Sequence, residues 1–108
     1  MTDIIPLEAL GDPTRRKLFE RLRDGPCSVN QLVQSVSVSQ PAVSQHLRIL
    51  RQARLVQVEK CGQRRVYRVD PQGLAELRAY IDSFWDQVLG AFQQAANQSA
   101  REETQHEE

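Results

Sequence analysis

At Asp12-Pro13, Ser39-Gln40-Pro41 and Asp70-Pro71 a side chain able to cap a helix stands within two positions before a proline in the first turn. An aspartate or serine just before the first turn accepts from backbone amides that have no partner inside the helix. Proline fits that turn because its missing amide is not needed there. Each pair therefore pins the start of a helix. With three starts fixed in 108 residues, the chain is confined to short helices and one long terminal one.

The first pinned helix carries Leu18, Phe19 and Leu22 inward and stops at Asp24-Gly25-Pro26. Ser28 and Gln31 then stand at capping-box spacing and open a short helix with Leu32 and Val33 buried. A break at residues 35–38 leads to Ser39, with Val38 and Val43 at the positions of a hydrophobic staple. In the helix that follows, Val43, Leu47 and Leu50 form one apolar stripe at i, i+4 and i+7. Gln40, Ser44, Gln45, Arg48 and Arg51 project from the other side. That face has amides, a hydroxyl and guanidinium groups but no carboxylate. These are the groups that read base edges and phosphates. Two short helices joined by a tight turn, the second presenting such a face, predict a helix-turn-helix.

After Leu55 the hydrophobic period changes from about four to two. Val56 and Val58 alternate with Gln57 and Glu59, and Tyr67 and Val69 flank Arg68. Gly62 supplies the turn between them, so residues 56–69 predict a β-hairpin bearing Arg64, Arg65 and Arg68. Net charge is zero, but its distribution is not even. Residues 39–69 hold seven basic side chains against one acid, a balance of +6, whereas residues 70–108 hold two against eight, a balance of −6. The local field steers a polyanion, not the sum. The middle third is thus the part suited to double-stranded DNA.

The last helix shows Leu74, Leu77, Ile81, Phe84, Val88, Ala91 and Ala95 in steps of three and four, a heptad-like seam. Trp85, Leu89, Phe92 and Ala96 form a second stripe beside it. One stripe suffices to pack on its own domain, so two predict self-association, joined by Ile5, Leu7 and neighbouring apolar residues of the amino terminus. A chain this short buries only about 60–65% of its unfolded surface, and a second subunit would supply more. The expected domain spans residues 1–96, followed by an acidic, disordered tail over 97–108. No signal peptide or membrane span is legible, and a cytoplasmic location is the expectation.

Taken together, these segments resemble the ArsR/SmtB family of bacterial transcriptional repressors. The resemblance is carried by ALGDPTRRKLFERL, the run from Ser39 to Leu50, LVQVEK followed by RRVYRVD, and FWD in the last helix. It implies a mainly α winged helix-turn-helix with a small β-hairpin, dimerised through its first and last helices on an inverted-repeat operator. It places Ser39, Gln40, Pro41, Ser44, Gln45, Arg48 and Arg51 on DNA through the recognition helix, and Arg64 and Arg65 through the wing. It places Ile5, Leu7, Leu77, Ile81, Phe84, Val88 and Phe92 at the dimer interface. His46 matches the family's His-Leu pair, either as a structural histidine packed near the turn or through a hydrogen bond to phosphate or to a residue that itself contacts DNA.

The departures matter as much. Where family metal sensors carry a two-cysteine box, this chain reads GPCSVNQL, with Cys27 alone. Residues 71–96 contain no histidine, so the second family metal site lacks its nitrogen ligands, and His106 falls in the expected tail. Neither standard metal site is expected, and no cofactor. Arg54 stands where the family usually ends the recognition helix with glycine, which leaves open a strained left-handed cap or a functional extra charge. No nucleophile–base pair or phosphate-cradling loop is present, so an enzyme is not expected. The rival readings are a winged-helix protein-interaction module and a repressor that senses oxidants through Cys27 or Cys61. The inducing ligand or partner protein is not legible.

Overall fold

The computed structural model describes residues 4–106. They form α1 (Pro6–Ala9), α2 (Pro13–Arg23), β1 (Cys27–Ser28), α3 (Val29–Gln34), α4 (Gln40–Gln52), β2 (Val56–Cys61), β3 (Arg64–Val69) and α5 (Pro71–His106). The capping chemistry sets the boundaries. Asp12 Oδ1 accepts from the amides of Thr14 and Arg15 at 2.8 and 3.0 Å, Ser39 Oγ from Ala42 at 3.3 Å, and Asp70 Oδ1 from Gln72 at 3.0 Å. Ser28 and Gln31 close a reciprocal capping box.

The predicted hairpin is there, paired antiparallel from Val56↔Val69 to Cys61↔Arg64, with Gly62 at φ 65° in its two-residue turn. The expectation of a hairpin alone is corrected in one respect. Cys27 and Ser28 pair antiparallel with Tyr67 and Val66, giving a three-stranded sheet in the order β1-β3-β2. Two residues have no period to betray a strand, and their amides find partners only once β3 lies beside them.

Of the described residues, those up to Leu77 form one compact unit and those from Arg78 a second, with α5 beginning in the first and continuing into the second. The core of the first unit is apolar throughout. Leu18 and Leu22 of α2, Leu32 of α3, and Val43, Leu47 and Leu50 of α4 close on Leu55, Val56 and Tyr67. No polar side chain is buried among the described residues. Phe19, Val33 and Val38 pack against this core half-buried. The stripe read from the sequence of α4 is thus the stripe that the core takes.

The second unit is a single helix. Arg78 and Asp82 pair one turn apart, and Tyr80 and Phe84 meet edge to face at 5.1 Å. Helix continues to His106, past the expected end of order at Asn97. Ala100, Arg101, Glu102 and Glu103 are strong helix formers, and no glycine or proline follows Gly90 to stop them. The last two residues of the expected tail lie outside the described residues.

Candidate nucleic-acid interface

The interface is built on α4. Burying Val43, Leu47 and Leu50 turns Gln40, Pro41, Ser44, Gln45, Arg48 and Arg51 outward, and each of them is exposed. Ser39 is exposed as well, and its hydroxyl oxygen holds the amide that starts the helix. Arg64 and Arg65 stand at the base of β3 beside the turn, opposite Cys61 and Lys60.

A groove of about 580 Å³ opens between the wing and the helix-turn-helix. Gln40 and Ser44 of α4 line it together with Arg64 and Arg65 of β3, so the groove brings together residues that the sequence places some twenty positions apart. Gln63 of the turn and Ser28, Val29, Asn30 and Gln31 at the start of α3 line it too. These last four escaped the sequence reading. Their signal, a polar run opening the first helix of the motif, was absorbed by the capping box. Pro41, Gln45, Arg48 and Arg51 share the outer face of α4 but do not line the groove.

The basic side chains of this region divide in two. Arg54 Nη2 lies 2.8 and 3.0 Å from the two carboxylate oxygens of Glu76, and Arg68 is paired with Glu59 across the hairpin. Among the described residues, Arg48, Arg51, Lys60, Arg64 and Arg65 have no carboxylate within ion-pair distance and are exposed. Their field is not cancelled locally, which is what a phosphate backbone requires of its partner. Charge counting alone could not separate the two groups.

His46 lies on the inner side of α4, with its side chain 20% exposed. Its Nδ1 is 3.3 Å from Arg15 Nη1 and 4.0 Å from Asp12 Oδ1. The carboxyl of Asp12 is held below its ordinary value of 3.8, first by the Arg15 amide it accepts from; burial opposes this, while the Thr14 amide and the Arg15 guanidinium assist.

Metal-ligating residues do not gather. Among the described residues no three His, Cys, Asp or Glu side chains stand together. Cys27 is buried with its thiol toward the Gly25 carbonyl at 3.5 Å, and Cys61 is exposed at the end of β2. A lone, buried thiol does not fit a thiolate metal site.

The exposed residues of the expected dimer surface fall in two places. Ile5 precedes the first turn of α1 and Leu7 lies within that helix, 48% and 46% exposed. Ile81, Phe84, Val88 and Phe92 of α5 are 45–69% exposed within one chain, as are Trp85 and Leu89, while Leu77 is half-buried.

A short helix, a turn, a second helix with an outward polar face and an arginine-bearing hairpin define a winged helix-turn-helix protein. The family model described as bacterial regulatory protein, arsR family, matches residues 12–58. The transcriptional regulator Rv2034 of Mycobacterium tuberculosis is 51% identical over 87 residues, which are 81% of each chain. The transcriptional repressor SmtB of the same species is 39% identical over 71 residues, 66% of this chain and 53% of that one. The transcriptional repressor SdpR of Bacillus subtilis is 36% identical over 56 residues, 52% of this chain and 62% of that one. The chain thus spans little more than half the length of SmtB and about three fifths of SdpR. Among solved structures, one titled a possible transcriptional regulator for arsenical resistance superposes with a TM-score of 0.71 at 49% identity, covering 79% of this chain and 86% of that one. An ArsR-like transcriptional regulator from Rhodococcus sp. RHA1 superposes with a TM-score of 0.64 at 31% identity, over 83% and 88%. The chain belongs to the arsR family of bacterial transcriptional regulators.

Proposed function

We propose that this chain is a sequence-specific DNA-binding repressor that acts as a homodimer on an inverted repeat, with neither standard family metal site. The observation that carries this reading is the shared groove: Gln40 and Ser44 of the carboxylate-free face of α4 line it together with the wing residues Arg64 and Arg65, whose guanidinium groups have no carboxylate partner among the described residues. The amides of Gln40 and Gln45 are suited to adenine, and the guanidinium of Arg48 to guanine or phosphate. Arg64 and Arg65 grip the backbone or the minor groove beside it. The names of SmtB and SdpR support repression as the outcome.

Dimerisation is supported by the apolar stripe of α5. Helices in proteins take most of their stability from packing of an apolar face, and the exposed stripe of Ile81, Phe84, Val88 and Phe92 has burial to gain that a second copy would supply. Two recognition helices about 34 Å apart would then read half-sites one helical turn apart. No described helix is long and apolar enough to cross a membrane, and a cytoplasmic site of action follows from the DNA target. Selection of bound fragments from genomic DNA, followed by gel shifts at several salt concentrations, tests the reading. An enriched inverted repeat bound with a steep salt dependence supports it. Equal binding to all fragments, or none, refutes it and favours a protein-interaction module.

A further inference from the structure

Every other polar side chain of α4 is exposed, but His46 turns toward α2. A guanidinium has donors only, so the 3.3 Å approach of Arg15 Nη1 makes His46 Nδ1 the acceptor. A neutral imidazole with its proton on Nε2 fits this contact. Through Nε the same guanidinium donates to the carbonyl of Ala9, the last residue of α1, at 2.6 Å. Arg15 therefore ties the end of α1 to the recognition helix. Asp12, ionised and fixed by two backbone amides, waits 4.0 Å from the same nitrogen.

We propose that Arg15 positions the recognition helix through neutral His46, and that protonation of His46 transfers this hold to Asp12 and weakens sequence-specific binding. The proposal rests on the DNA-binding reading above. A proton on Nδ1 removes the acceptor and sets two cations 3.3 Å apart. It also creates a donor for Asp12, which the imidazole reaches by moving about 1 Å to hydrogen-bond distance. That movement is carried by α4, whose amides and guanidinium groups must keep their register on the bases. Histidine ordinarily changes charge within the physiological range.

Among the described residues, Arg15 and Asp12 are the ionisable groups in polar contact with His46. The elements packed on α4 are α1, α2, α3 and β2. From α2 the groups facing His46 are Asp12 and Arg15. α3 has no titratable side chain, and Glu8 of α1 is exposed. In β2, Glu59, Lys60 and Cys61 are exposed, with Glu59 held by Arg68.

The test compares anisotropy titrations of a selected duplex and a scrambled one, at about pH 8 and about pH 5.5 on either side of imidazole titration. In the wild type the specific-to-scrambled affinity ratio should fall about five- to tenfold toward acid, the scale of one lost hydrogen bond. His46→Asn keeps an acceptor oxygen near the Nδ1 position and does not titrate, so its ratio should hold at both values. Arg15→Lys, with no fork to span Ala9 and His46, should show the reduced ratio already at the higher value. An equal pH response in wild type and His46→Asn overturns the proposal. In free protein carrying His106→Gln, ¹⁵N imidazole spectra should show the Nε2–H tautomer at high pH, and the Nδ1–H tautomer would overturn it. If no duplex is bound specifically, the DNA-binding reading and the predicted effect on DNA both fail. The tautomer still decides the Arg15–His46 link.

Discussion

The amide of Gly73, in the first turn of α5, donates to the carbonyl of Arg54 at 2.8 Å, so closely that a Cβ on Gly73 would stand 2.3 Å from that oxygen. Arg54 itself is held at φ 59°, the left-handed cap that ends α4. This single approach fastens the end of the recognition helix to the start of α5. Arg54 and Glu76 reinforce it from the side-chain side.

Gly73→Ala should destabilise the protein, because the atoms it meets are backbone and cannot swing aside. The expected loss is about 1–3 kcal/mol, the range for overpacking, despite alanine's better helix propensity. Urea unfolding followed by circular dichroism reads it, and an unchanged midpoint would show that α5 can shift freely.

At Arg54 two opposing effects can be separated. Left-handed backbone costs a non-glycine residue about 1–2 kcal/mol, whereas the half-exposed pair with Glu76 contributes about 0–1 kcal/mol. Arg54→Ala keeps the strain and loses the pair; Arg54→Gly loses both. Arg54→Gly should therefore be the more stable of the two by about 1 kcal/mol, measured by thermal unfolding. The reverse order would mean that glycine's larger loss of backbone entropy on folding outweighs the relief of strain.

Asp12 makes stability depend on pH. Its folded pKa is depressed below 3.8, so its contribution is present above that value and is lost as pH falls through the folded one. Asp12→Ala should cost about 1 kcal/mol at neutral pH through the lost cap, with the gap to wild type narrowing in acid below about pH 4. Asp12→Asn still caps and should stay within a few tenths of a kcal/mol at neutral pH. Unfolding curves across pH check both.

On DNA, readers and grippers should part company. Gln45→Ala should lose about 1–3 kcal/mol on the selected site and little on scrambled DNA. Arg65→Ala should weaken both alike and reduce the salt slope by about one. Identical losses on the two duplexes for the two variants would erase the distinction.

Charging the α5 stripe should separate the subunits. Phe84→Glu with Val88→Glu changes side chains exposed in one chain, so the first unit should keep its fold. Sedimentation should show dimer turning to monomer at micromolar concentration, with specific DNA affinity falling in parallel. A sedimentation profile like that of the wild type would move the interface elsewhere.

Much of the candidate site is legible in the sequence because its signals are local. The outward face of α4 follows from which residues the stripe Val43, Leu47 and Leu50 leaves over, and the hairpin follows from period two around Gly62. Asn30 and Gln31 were missed as groove residues because nothing in α3 says that the wing will stand across from it. His46 left two readings open in sequence. Its partners lie 31 and 34 positions earlier, and only their arrival beside α4 makes it an acceptor from Arg15.

By itself the sequence determined where helices begin, which face of α4 is apolar and which third of the chain is basic. These depend on residues within a turn or two of one another. Tertiary structure alone decided that Cys27 and Ser28 form a strand, that Arg54 and Arg68 are neutralised while Arg64 and Arg65 are not, and that Gly73 has no room for a side chain. Each is a meeting of segments distant along the chain, settled by the packing of α4 against the sheet and of α5 against its end.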